Sequence, residues 1–194
     1  TGSGEAHIYR IKNGASWSPP FQTQFKGNFL VDLTFPSPNI GYACGGGYYT
    51  GTTNLLLKTN DNGVTWDSLS TATPARGYVF KHIEFLNNDT GFVVGEWILA
   101  KTTNGGATLS EVTLPGFYSI TAIISTAANR VVIATRKSLS KQSDSYNYSI
   151  YTSDDLGNTW NKTYTNSLFN ISNNDQQRAI NDIYFLDADT GFAV

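Results

Sequence analysis

Thr59-Asn-Asp61-Asn-Gly63-Val-Thr65-Trp66 returns as Thr102-Thr-Asn104-Gly-Gly106-Ala-Thr108-Leu109 and as Ser153-Asp-Asp155-Leu-Gly157-Asn-Thr159-Trp160, each time with the same spacing. Such a run closes a hairpin. The Asp or Asn side chain accepts backbone N–H bonds inside the turn, the glycine supplies a positive φ, and the aromatic or leucine re-enters a packed layer. A degenerate fourth copy, Arg10-Ile-Lys-Asn-Gly14-Ala-Ser16-Trp17, keeps the Gly, Ser and Trp. Because Asn replaces Asp at 104 and Leu replaces Trp at 109, the turn of the second copy is expected to depart from the others.

A second motif precedes two of these turns. Val31-Asp-Leu-Thr-Phe35 with Ile40-Gly-Tyr-Ala-Cys-Gly45, His82-Ile-Glu-Phe85 with Thr90-Gly-Phe-Val-Val-Gly95, and Asp182-Ile-Tyr-Phe185 with Thr190-Gly-Phe-Ala-Val194 each read as strand, short turn, strand. Leu33 and Phe35, Ile83 and Phe85, and Ile183 and Phe185 alternate with the period of two of a half-buried strand. The Asn-Asn-Asp-Thr-Gly and Asp-Ala-Asp-Thr-Gly pieces are hairpin-turn chemistry, with Gly91 and Gly191 expected to take positive φ. A more divergent unit has its first strands at Ser119–Ile124 and Arg130–Thr135 and its third near Tyr148 to Thr152. Matching landmarks recur every 43 to 51 residues, the length of a four-stranded antiparallel unit.

The Ser/Thr-x-Asp-x-Gly-x-Thr-Trp run resembles the Asp-box (BNR) repeat of neuraminidase-type and sortilin-type propellers. The Gly-Phe-Val-Val-Gly hairpin is similar to the repeat of the photosystem II stability/assembly factor family and related secreted bacterial repeat proteins. The resemblance implies an all-β fold: a β-propeller of four-stranded antiparallel blades with Asp-box turns, about four blades in residues 1–194. The blades are expected at 31–70, 82–112 and 119–162, with 8–17 joining 182–194 as one more. The chain is then either a closed four-bladed ring or a fragment of a larger one. Its start at Thr1 and its lack of Met are expected of a processed product or part of a longer chain.

Composition narrows the function. The net charge of −2 provides no field to attract a phosphate backbone, which argues against nucleic acid. No apolar run approaches the roughly 18 residues of a membrane-crossing helix. Cys44 is the sole cysteine and is expected to be a buried strand residue. Neither His7 nor His82 has a second ligand at metal-like spacing, so no metal or cofactor is expected. Gly45-Gly-Gly-Tyr48 lacks the Lys-Ser/Thr of a phosphate loop.

In a propeller, the Asp-box turns and first hairpins lie on one face and the remaining connections on the other, where ligands usually sit. That second face is expected to carry Tyr48, Tyr49, Arg76, Tyr78, Trp97, Tyr118, Tyr148 and Arg178 as candidate ligand-binding residues, with the 136–148 segment as one of its loops. Aromatic rings flanked by amide and hydroxyl groups suit peptides or sugars. Thr59, Asp61, Gly63, Trp66, Thr102, Asn104, Gly106, Ser153, Asp155, Gly157 and Trp160 are expected to be structural Asp-box residues. Glu96, Asp144 and Asp175 are the acids near the candidate face, but nothing fixes the separation that a two-carboxylate glycosidase needs. The expected function is a non-catalytic, extracytoplasmic binding or scaffold module for a protein or glycan. The alternatives are a fragment of a glycoside hydrolase or sialidase-type enzyme and an assembly factor for a membrane complex. The extracytoplasmic placement follows from the resemblance alone.

Overall fold

The computed structural model describes residues 6–12, 16–17, 21–22, 28–47, 54–69, 79–95, 98–114, 119–127, 129–140, 143–167 and 180–194. The described elements are β-strands. They run β1 (His7–Ile8), β2 (Ile11–Lys12), β3 (Ser16–Trp17), β4 (Phe21–Gln22), β5 (Asn28–Thr34), β6 (Gly41–Gly47), β7 (Asn54–Thr59), β8 (Asp67–Ser68), β9 (Phe80–Phe85), β10 (Gly91–Gly95), β11 (Leu99–Thr102), β12 (Ser110–Glu111), β13 (Ser119–Ala127), β14 (Arg130–Ser140), β15 (Ser143–Ser153), β16 (Asn161–Ser167), β17 (Ile183–Phe185) and β18 (Gly191–Ala193). Three four-stranded sheets appear in chain order, β5-β6-β7-β8, β9-β10-β11-β12 and β13-β14-β15-β16, and β17 pairs with β18. Each four-stranded sheet is one blade. In the N-terminal region β1 pairs with β4 and β2 with β3.

The chain divides into two compact units, one formed by residues 1–96 with 100–111, the other by 97–99 with 112–194. In the first unit the core of the first blade gathers Ala43, Leu55, Leu57 and Trp66, with Ile8 and Leu30 packed against them. The opposite face of that blade meets the second blade. There Tyr42 stacks on Phe85, rings parallel with centroids 3.7 Å apart, and its hydroxyl donates to the Asn88 carbonyl at 2.7 Å. Asp32 joins the two innermost strands, accepting from Leu33 N at 2.8 Å and from Ile83 N at 3.0 Å. In the second unit the third blade meets the β17–β18 hairpin through Ala122, Val132, Ala134 and Ile183, with Ile150 and Phe185 against them.

The recurrent turn forms in all three blades. Thr59 Oγ1 accepts from Gly63 N at 2.9 Å and donates to Asp61 Oδ1 at 2.8 Å, and Asp61 Oδ1 accepts from Thr65 N at 2.9 Å. Ser153, Asp155, Gly157 and Thr159 repeat the arrangement. The second blade does not depart from it: Asn104 Oδ1 takes the Thr108 N–H at 2.9 Å, while its amide donates to Thr108 Oγ1 at 3.0 Å. An amide oxygen accepts the same bond as a carboxylate, which is why Asn serves there. Gly63, Gly106 and Gly157 hold φ of 76°, 85° and 76°, and the residues before them, Asn62, Gly105 and Leu156, are also left-handed. These preceding residues donate their N–H to Asn39, Asp89 and Asn129 carbonyls at 2.9, 2.9 and 3.0 Å. The Asp-box turn therefore lies against the first hairpin turn of its own blade.

Two further expectations need correction. Gly91 and Gly191 do not take positive φ. Phe85 pairs across the ladder with Gly91, and Phe185 with Gly191, and a Cβ on either glycine would run into that ring; Gly41 is covered by Phe35 in the same way. An aromatic laid over a cross-strand glycine restores packing at a position without a side chain, so the repeat needs glycine for close approach. The segment 136–148 is not a loop but the end of a long ribbon, with Arg136 paired to Tyr148 and Ser140 to Ser143. Gly45, within the Gly-Gly-Gly run, lies in β6 opposite a register shift between Leu30 and Asp32, where an added Cβ would strike the Phe29 carbonyl oxygen.

The two glycine sites predict different costs. Gly45→Ala presses on backbone and is expected to destabilise by roughly 3 kcal/mol or more, whereas Gly91→Ala presses on a ring that can shift and is expected to cost roughly 1–3 kcal/mol. Urea unfolding of the two variants tests the order.

The Asp-box acids predict an acid limb of stability. Hydrogen bonds from Thr65 and Thr59 hold Asp61 down from 3.8 to about 2. Those from Thr159 and Ser153 hold Asp155 lower still. A carboxyl depressed in the folded state binds its proton more weakly there than in the unfolded chain. The stabilisation is therefore complete above 3.8 and is lost as pH falls through about 2. Replacing both with Asn, the residue blade two already uses, is expected to keep the fold and flatten this limb, as read by melting temperature against pH.

Candidate functional site

Of the eight candidate ligand-binding residues, Tyr48, Tyr49, Arg76, Tyr78, Trp97, Tyr118 and Arg178 lie outside the described residues. Tyr148 lies in β15, opposite Arg136 and Asn166, and is only 6% exposed. Glu96 and Asp175 also lie outside the described residues, while Asp144 contributes backbone to β15. Among the described residues, no group of three or more His, Cys, Asp or Glu is arranged to hold a metal ion.

Many of the polar groups that the structure does describe are committed to the framework. Burial raises the Tyr42 phenol; its hydroxyl is bonded to Asn88, and Lys58 Nζ sits 5.3 Å from its ring centre. Burial, helped by the charge of Asp32, pushes the Cys44 thiol up. Cys44 is a fully buried strand residue, in a setting that disfavours the reactive thiolate. Arg130 Nη1 donates to the Ala188 carbonyl at 2.9 Å and to Asp189 at 3.2 Å. Its Nε lies 3.0 Å from Asp154 Oδ1, in ion-pair contact without the alignment of a hydrogen bond. Ala188 and Asn88 occupy the same place in the repeat, so Arg130 and Tyr42 use different chemistry to grip equivalent turns. Sequence pattern does not single out this role, because the two donors stand at different positions of their strands.

Among the described residues, a groove opens in each unit. In the first, His7, Ile8 and Tyr9 lie along Leu30, Val31, Asp32, Leu33 and Ala43 around about 310 Å³. Tyr9, Val31 and Leu33 are about half exposed, and the His7 and Tyr9 rings stand 6.1 Å apart. The sequence signal for this site is His7-Ile8-Tyr9, where alternation turns Ile8 inward and leaves His7 and Tyr9 exposed. In the second unit, about 350 Å³ opens beside β18, with Val132, Ile150, Thr152 and Thr163 on one side and Ile183, Phe185, Gly191 and Ala193 on the other. Both grooves are amphipathic and suit binding of side chains.

Comparison with known proteins places this architecture. Among the solved structures with similar folds is YCF48 bound to D1 peptide, at 24% identity and a TM-score of 0.54 over 72% of this chain and 40% of that one. YCF48 from Cyanidioschyzon merolae matches at 21% identity and a TM-score of 0.51, over 73% and 39%. An ancestral GH74 enzyme matches at 14% identity and a TM-score of 0.54, over 71% and 20%. This chain thus spans well under half the length of these proteins, and at such identities the likeness establishes the β-propeller fold. No curated protein sequence matches it. The profile of the photosynthesis system II assembly factor YCF48 family matches residues 9–184, nearly the whole repeat array, and the chain belongs to that family.

Proposed function

We propose that this protein is a non-catalytic binding propeller of the assembly-factor kind, which holds an extended segment of a membrane-protein partner in an extracytoplasmic compartment. The observation that carries this reading is the family match over residues 9–184. YCF48 itself has been captured with a D1 peptide. The described chemistry is compatible with it: Asp61 and Asp155 lock turns, Arg130 is paired, and the described surface offers apolar grooves with polar rims.

The partner would lie on the face bearing Tyr48, Tyr49, Arg76, Tyr78, Trp97, Tyr118 and Arg178. Flat rings there would cover apolar side chains of the bound segment, and the arginines would pair with its carboxylates or carbonyls. Tyr148, being buried, would back this surface. Interface energy concentrates in a few aromatic and arginine anchors. The same rings could stack on a sugar, which keeps a glycan as the competing ligand class.

Fluorescence anisotropy with a labelled D1 peptide tests this reading. Binding is expected, and Trp97→Ala or the double change Tyr48→Ala with Tyr49→Ala should weaken it by roughly 30-fold, the effect of losing an anchor worth about 2 kcal/mol. Absence of binding, or affinity unchanged in these variants, overturns the proposal. Retention of oligosaccharides by the same face would assign it to glycans.

A further inference from the structure

The second Asp-box carries Asn104 followed by Gly105. Asparagine before glycine is the pair most open to deamidation, because glycine has no side chain to shield its nitrogen. The fold imposes this glycine. Gly105 holds a φ of 66°, and a Cβ there would come within 2.9 Å of Lys58 Nζ and 3.1 Å of the Tyr42 hydroxyl, both in the first blade. Asn62 and Leu156 take the same left-handed place in the other turns, so the close approach of the first blade, more than φ, excludes a side chain here.

Deamidation begins when the Gly105 nitrogen attacks Cγ of Asn104. A five-membered succinimide forms, the Cγ–Nδ2 bond breaks, and ammonia leaves with the proton that the attacking nitrogen gives up. Water then adds across one of the ring C–N bonds. Opening at Cγ restores the normal backbone and leaves aspartate; opening at the main-chain carbonyl carbon routes the backbone through Cγ and leaves isoaspartate. Water is consumed and ammonia released, with no change of oxidation state.

In the folded turn both reacting groups are engaged. Gly105 N donates to the Asp89 carbonyl at 2.9 Å. Asn104 Oδ1 accepts from Thr102 Oγ1 at 3.0 Å and from Thr108 N at 2.9 Å, and Nδ2 donates to Thr108 Oγ1 at 3.0 Å. For the ring to close, the carboxamide must leave Thr102 and Thr108, and Gly105 must leave Asp89. The two products differ in what the turn can reuse. Aspartate offers the oxygens that Asp61 and Asp155 already use: Thr108 N would again donate to Oδ1, and the Thr108 hydroxyl would change from acceptor to donor, as those of Thr65 and Thr159 donate at 2.6 Å. Isoaspartate adds a carbon to the main chain between 104 and 105, so its carboxylate and the Gly105 N–H cannot reach Thr108 and Asp89 together.

We propose that Asn104 is a latent deamidation site, held closed by the native turn and opened when that turn leaves the first hairpin turn of its blade. Its aspartate product is accepted by the second blade and its isoaspartate product is rejected. Opening of the blade is thereby recorded as a lasting negative charge. The site uses none of the residues of the loop face assigned above and stands or falls apart from it.

The test is ageing of the protein in warm, mildly alkaline buffer, both folded and in urea, followed by trypsin and mass spectrometry of the 102–130 peptide, in which fragmentation separates Asn104 from Asn129. Conversion of Asn104 is expected to be at least roughly tenfold slower in the folded protein, because the bonds to Thr102, Thr108 and Asp89 must be given up first. Thr108→Val removes the acceptor for Nδ2 while keeping the N–H bond to Oδ1. It should quicken conversion in the folded state by roughly threefold and leave the rate in urea unchanged. Circular dichroism shows whether this variant folds, and the comparison on the unaltered protein decides the matter if it does not. Equal rates folded and in urea overturn the proposal, as does a folded Thr108→Val protein that converts no faster than its parent. Protein aged in urea and refolded is then treated with protease under native conditions. Survivors are expected to be depleted of isoaspartate at 104 relative to aspartate, and an unchanged ratio overturns the claim that the turn distinguishes the products.

Discussion

A four-stranded sheet whose central strands are buried on both faces has no core of its own. Every described position of β6 and of β10 is buried, so the side chains that alternate to left and right along these strands must meet a neighbour on each side. Stability in such an array comes from interfaces between successive units more than from any one sheet. The first unit shows the interface complete: ring on ring at Tyr42 and Phe85, a hydroxyl on the next turn's carbonyl, and Asp32 bridging the innermost strands. The second unit shows it from the third blade to the β17–β18 hairpin, with Arg130 reaching the turn that Tyr42 reaches in the first.

Two local devices make such stacking repeatable. Phenylalanine laid over a cross-strand glycine at 35 and 41, 85 and 91, and 185 and 191 sets the distance between the two inner strands. The Asp-box turn acts at the outer strands. Its two consecutive left-handed residues are unfavourable for side-chain-bearing Asn62 and Leu156. The bonds from the Thr or Ser hydroxyl and from the Asp or Asn oxygen hold them there, and the exposed N–H reaches the first hairpin turn. Both devices depend on short-range geometry, which explains why they persist while the strands between them vary.

That division also decides what can be read in the sequence. Turn chemistry is local and tied to residue type, so the three Asp-box copies and their oxygen and glycine roles are legible, as is the burial of Cys44. Asn104 departs from the pattern only if the turn requires a charge, whereas the geometry requires no more than an acceptor oxygen. Gly91 and Gly191 are misleading because a glycine in a turn-like string looks the same whether it serves φ or close approach. Only the partner across the ladder distinguishes the two. The 136–148 ribbon escapes notice for a related cause: its Ser, Lys, Gln and Asn content lacks apolar alternation, and its strand state comes from pairing with itself in register.

The candidate site is less legible because binding surfaces are set by what the framework leaves over. Tyr42, Asp32 and Arg130 have the side chains expected of ligand-binding residues, yet each makes a bond to the adjoining inner strand or turn that the stack requires. A residue type common in binding sites carries little information until its structural use is known. Where one blade meets the next, Tyr42, Asp32 and Arg130 are bonded across the contact and the residues of β6 and β10 are buried. In a fold whose stability is an interface repeated, the alternation that seats one blade on the next also decides which side chains are spent on the framework.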